Sequence, residues 1–80
     1  TYQNQLRQLE YRVDEDGSVM LKNNNNETIK GLSLISVNEM LLDDKKSFNK
    51  RKTESGDEWI IWFDMKPNER VRILNVNKNQ

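Results

Sequence analysis

Residues 57–73 read DEWIIWFDMKPNERVRI, and the placement of the first half of that stretch decides the fold. From Trp59 to Phe63, two tryptophans, two isoleucines and a phenylalanine fill five consecutive positions of a chain whose mean hydropathy is −1.00. Successive side chains of a strand point to opposite faces, so Trp59, Ile61 and Phe63 share one face and Ile60 and Trp62 the other. An apolar run on both parities reads as a central strand buried on both sides. KPNE follows as a tight turn, with Pro67 fixing φ early and Asn68 tolerating the next position. RVRILNV is the last strand, Val71 and Ile73 alternating with Arg70 and Arg72, and the polar NKNQ tail is expected to fray.

Upstream, QLRQLEYRV sets Leu9, Tyr11 and Val13 against Glu10 and Arg12, the alternation of a half-buried strand. Asp16-Gly17 in DEDGS signals a hairpin, because glycine accepts positive φ and aspartate tolerates it. SVMLK returns with Val19 and Leu21 in phase before the polar loop NNNNE. TIKGLSLISV is a third strand with Leu32 and Leu34 on one parity and Ile35 and Val37 on the other. That switch needs a bulge or bend, for which Gly31 is a plausible place; a glycine merely tolerated at an edge is an equal alternative. Residues 38–57 are ambiguous. Asn38 with Leu41 and Leu42 resembles a capped helix start, but the apolar content fades, and a turn with a short strand around Lys46 to Thr53 is the preferred reading.

Hairpin-type turns between five to seven strands make an all-β chain: a single domain over residues 1–80, expected to be a small antiparallel β-sandwich. An OB-like five-stranded barrel is the alternative. Eighty residues sit near the size at which one hydrophobic core only just suffices, so large apolar side chains are expected inside. The first residues, TYQNQ, suggest a piece of a larger multi-domain protein. Eleven asparagines, NNNN at 23–26 among them, read as compositional bias more than physical demand.

Thirteen basic and thirteen acidic residues cancel, so no long-range field draws the domain to nucleic acid, which is not an expected partner. Without cysteine or histidine there is no disulfide, no thiol nucleophile, no imidazole base and no His or Cys zinc site. No apolar segment is long enough to span a membrane as a helix. Paired carboxylates for glycoside cleavage need a cleft that so small a β domain hardly offers. The chain is expected not to be an enzyme and to need no cofactor or metal. Asp14, Glu15 and Asp16 lack the ligand spacing of a calcium loop, and the sequon Asn26-Glu27-Thr28 arises easily by chance in such a chain.

Two features remain as candidate surfaces. Lys45, Lys46, Lys50, Arg51 and Lys52 form the densest basic cluster, but Asp43, Asp44 and Glu54 flank it and Phe48 is its only aromatic, so a solvated loop is the favoured reading. Trp62 either packs under a second layer or stands exposed as a platform for a sugar ring or base, and core packing is favoured in a domain so short of apolar area. Under the barrel alternative, Tyr11, Trp62 and the Lys45 to Lys52 segment would form the binding surface.

NNETIKGLSL at 25–34 and WIIWFDMKPNERVRI at 59–73 resemble segments of the immunoglobulin-like or fibronectin-like accessory β-sandwiches of bacterial secreted and surface proteins acting on polysaccharides. In those modules an asparagine precedes a glycine-leucine strand, and a proline turn closes a final hairpin. The resemblance runs from Val19 onward in a chain shorter than such sandwiches usually are. It implies a non-catalytic module that supports a larger, polysaccharide-active protein, partners a neighbouring domain of the same polypeptide or a glycan, and works outside the cell or on its surface.

Overall fold

The computed structural model describes residues 2–42 and 46–75. A short helix, α1 (Tyr2–Arg7), precedes seven strands: β1 (Leu9–Val13), β2 (Val19–Asn23), β3 (Ile29–Ser36), β4 (Met40–Leu42), β5 (Asn49–Lys52), β6 (Trp59–Met65) and β7 (Arg70–Asn75). They form two antiparallel sheets, one ordered β1-β2-β7-β4 and the other β3-β6-β5. The architecture is an open two-sheet β fold, not the closed barrel of the alternative reading.

Between the sheets lies one core of Leu21, Val71, Ile73 and Leu42 from the larger sheet and Ile29, Leu32, Ile61, Phe63 and Met65 from the smaller. The members from β2, β6 and β7 come from one parity of each strand, which is why the pattern identified most of them. β3 supplies the core from two. Between Ile29 opposite Met65 and Leu32 opposite Phe63, two residues face one, and Gly31 sits there at φ +65. The bulge turns Ile29 and Leu32, three apart in sequence, to the same interior.

The β1–β2 connection follows the Asp-Gly signal. Gly17 N donates to Asp14 O at 3.0 Å, Asp14 N to Ser18 O at 2.8 Å, and Gly17 takes φ 85, the geometry of a turn closed by a left-handed glycine. Residues 5–8, read as the start of a strand, instead lie in α1 and its exit; Gln5 Nε2 donates to Thr28 O at 3.3 Å, and Asn25 Nδ2 donates to Gln5 O at 2.9 Å. β1 is also less buried than its alternation suggests. Leu9 is half-buried, but Tyr11 and Val13 are 64% and 55% exposed. They share a face with the buried Leu21, opposite Tyr11 in register, yet β1 is the edge of the four-stranded sheet and the three-stranded sheet leaves it uncovered.

Residues 38–57 contain no helix among those described; they supply β4 and then β5, the second within the strand expected near Lys46 to Thr53. Lys50, Arg51 and Lys52 of the basic cluster therefore lie on an exposed strand, not in a loop, while Lys46 precedes it. KPNE is a turn, with Glu69 N donating to Lys66 O at 3.1 Å and Asn68 at φ 64. It closes no hairpin, however. β6 and β7 lie in different sheets, and the turn carries the chain across the core.

Asn23 explains the crossing. Its side chain is 0% exposed, and Nδ2 donates to the carbonyls of Glu27, Met65 and Lys66 at 3.0, 3.0 and 3.1 Å. Oδ1 accepts from Asn25 N at 2.9 Å and from Asn25 Nδ2 at 2.7 Å. The backbone joins in: Asn23 N donates to Glu69 O at 3.0 Å and Asn68 N to Asn23 O at 2.8 Å. One amide thus ties the exit of β2 to the β6–β7 turn. Two of the asparagines read as compositional bias, Asn23 and Asn25, are buried structural hydrogen-bonders.

Glu69, on the far side of that turn, caps it by accepting from Lys66 N at 2.7 Å and pairs with Lys46 Nζ at 2.9 Å. Burial pushes its carboxyl pKa up, but the Lys46 hydrogen bond and the Lys66 N–H outweigh that and hold it below its ordinary value. A depressed folded-state pKa stabilises the fold above the unfolded-state pKa, and the contribution is lost as pH falls through the folded one. Glu69→Gln should therefore be less stable than the parent near neutrality and show a shallower loss on acidification, a difference visible in urea midpoints taken from neutral pH downward.

Candidate ligand platform on the outer face of the smaller sheet

β6 is the middle strand of β3-β6-β5, so its outward residues have a neighbour on each side. Trp62 lies between Ser33 and Asn49, and Ile60 between Ile35 and Arg51. The expectation that both faces of WIIWF are buried holds only for Ile61 and Phe63 on the inner parity, where Trp59 at the start of the strand is half-buried. Ile61 and Phe63 are fully inside, whereas Ile60 and Trp62 are half-buried and the adjoining Ile35 is 61% exposed. Among the described residues no layer covers this face.

Trp62 borders a shallow depression of about 360 Å³ lined also by Lys46, Ser47, Phe48, Asn49, Phe63 and Asp64. Its aromatic wall is Trp62 with Phe48, the latter packed against the core. Polar groups complete the rim. Asp64 follows Phe63 on the outward parity and is held by the β3 bulge, its Oδ1 accepting from Gly31 N at 2.8 Å. The depression therefore offers a flat ring, an amide, a hydroxyl and a fixed carboxylate within one small area. That combination suits a hydroxylated ring better than an anion, since Lys46 is engaged by Glu69.

The basic cluster does not converge on one ligand. Lys45 lies outside the described residues, Lys46 precedes β5 and pairs with Glu69, and alternation along β5 sends Lys50, Arg51 and Lys52 to two faces. The Arg51 guanidinium is 5.9 Å from the Trp62 ring centroid. On the other side the Lys50 and Lys52 ammonium groups lie 5.2 and 5.3 Å from the Trp59 ring, and Lys50 also pairs with Glu39. These cations dock on ring faces. The signal was present in sequence: KRK followed by a Ser-Gly turn and WIIW is a hairpin that sets cations across from aromatics, once the register is known.

Tyr11 is not part of this site. It sits on β1, the edge of the other sheet, so the structure brings Trp62 and Phe48 together and leaves Tyr11 elsewhere. Among the described residues no cluster of three or more carboxylates could hold a metal ion, and no helix is long and apolar enough to cross a membrane. Models of known protein families, curated proteins and solved structures give no match to this chain.

Proposed function

We propose that the chain is a non-catalytic interaction module of a larger, polysaccharide-associated protein, and that it holds a sugar ring against Trp62. The observation that carries this reading is the half-buried Trp62 in the middle of an uncovered sheet face, beside a depression rimmed by Asn49, Ser47 and Asp64. A pyranose ring presents an apolar face that stacks on an aromatic ring and hydroxyls that need donors and acceptors at its edge. Asn49 and Asp64 supply both kinds of partner. The Arg51 guanidinium supports the ring from within the module.

A second reading keeps the module and changes the partner. Ile35, Ile60 and Trp62 make an apolar band along the same face, which suits a neighbouring domain of the same polypeptide. The two readings differ in one observable, the indole N–H signals during titration with soluble polysaccharides. A glycan platform predicts that one of the two indole signals shifts saturably and that Trp62→Ala abolishes the effect with the fold intact, while the Trp59 signal, flanked by two lysines, stays put. If both signals remain fixed across the glycan series, the sugar-binding reading fails and the docking reading takes its place.

A further inference from the structure

Four strands form the outer edges of the two sheets: β1, β4, β3 and β5. Exposed edges invite pairing with another chain, and proteins blunt them with charge, bulges or brevity. β5 is NKRK, with Lys50 and Lys52 on the inward parity; β3 carries the bulge at Gly31; β4 has three residues. β1, LEYRV, has five residues with no bulge, and its only charges, Glu10 and Arg12, stand on the outer parity and are opposite in sign.

Its backbone is presented for pairing. Gln8 O accepts from Asn24 N and Asp14 N donates to Ser18 O, so even-numbered residues aim their peptide groups at β2. By strand alternation Leu9, Tyr11 and Val13 aim theirs off the free edge. α1 does not take that place, since the Gln5 and Asn25 hydrogen bonds tie it to the β2–β3 loop.

We propose that β1 pairs with β1 of a second copy, antiparallel about a two-fold axis through Tyr11, joining two four-stranded sheets into one of eight strands. This register is self-complementary in every pair. Tyr11 meets Tyr11, Leu9 meets Val13, and Glu10 meets Arg12 twice, once on each side of the axis. The charged pairs fall on the outer face, where Glu10 and Arg12 are exposed. The tyrosines and the Leu9–Val13 pairs fall on the side that the narrower sheet leaves open, covering the exposed Tyr11 and Val13. A shift by one residue would place Glu10 against Tyr11 and lose both ion pairs.

Sedimentation equilibrium with charge exchange tests the register. The native chain should self-associate reversibly between micromolar and millimolar concentration. Glu10→Arg alone sets like charges opposite one another twice, as does Arg12→Glu alone, and each should weaken dimerisation roughly tenfold or more. Mixed together, the two variants are complementary again and should form a heterodimer at about the native affinity, a result that damage to the fold cannot mimic. A native chain that stays monomeric at millimolar concentration overturns the proposal, leaving the edge to a strand of another protein. So does a dimer indifferent to both variants.

Discussion

Asn23→Ala is expected to lower stability by about 3 kcal/mol, read as a fall of roughly 2 to 3 M in the urea midpoint at the shallow slope typical of so small a domain. The side chain makes few apolar contacts that alanine would lose; the cost comes from what is left behind. Three carbonyl oxygens, of Glu27, Met65 and Lys66, lose a donor, Asn25 N loses its side-chain acceptor, and the Asn25 amide keeps Gln5 O but loses its second acceptor. Each unsatisfied buried group costs about 1–3 kcal/mol, partly recovered if water enters. Asn23→Asp should be worse than alanine at neutral pH although it is nearly isosteric. It would aim a second carboxylate oxygen at carbonyl oxygens, where the amide now donates. An aspartate variant as stable as the parent would show that the amide does not hold the crossing together.

Phe63→Ala should cost about 4 kcal/mol, while Trp62→Ala, one residue away and larger by volume, should cost about 1 to 2 kcal/mol. Phe63 points into the shared core and is 4% exposed, so truncation opens a cavity between the sheets. Trp62 points the other way and gives up half-buried surface and a contact with Arg51. Thermal or urea unfolding of both variants reads the difference directly. Equal losses would mean that the outer face is packed as tightly as the core, and the platform reading would lose its footing. The modest cost at Trp62 is also what makes its alanine variant usable in a glycan titration.

Much of this fold is visible in local pattern, and the failures have physical causes. The two-residue period located β1, β2 and β7, a continuous apolar run located β6, and an Asp-Gly pair located the first turn, because those features depend on nearest neighbours in sequence. Pairing does not. Nothing in KPNERVRI states that β7 leaves β6 for β2; that choice rests on Asn23, more than forty positions earlier, which composition invited one to dismiss. Burial is equally non-local: LEYRV and VMLKN alternate alike, yet one is an edge without cover and the other is central. For the candidate site, Trp62 and Phe48 were nameable as isolated aromatics. Their meeting with Asn49 and Asp64, and the division of the basic run between two tryptophans, required the register of β5 on β6.

The Asn23 hydrogen bonds also bear on the order in which the chain folds. The β1–β2 and β5–β6 hairpins need only short closures and can form early, whereas the Asn23 amide meets Met65 and Lys66 across separations of 42 and 43 residues. Such closure costs chain entropy before any contact offsets it. The two hairpins are therefore expected to form first and the amide to engage late, so that Asn23→Ala should speed unfolding far more than it slows folding in stopped-flow kinetics. An interaction made that late acts chiefly on the rate of escape from the native state. In a domain with so small a core, a single buried asparagine then serves as a latch, setting how long the fold persists more than how quickly it is reached.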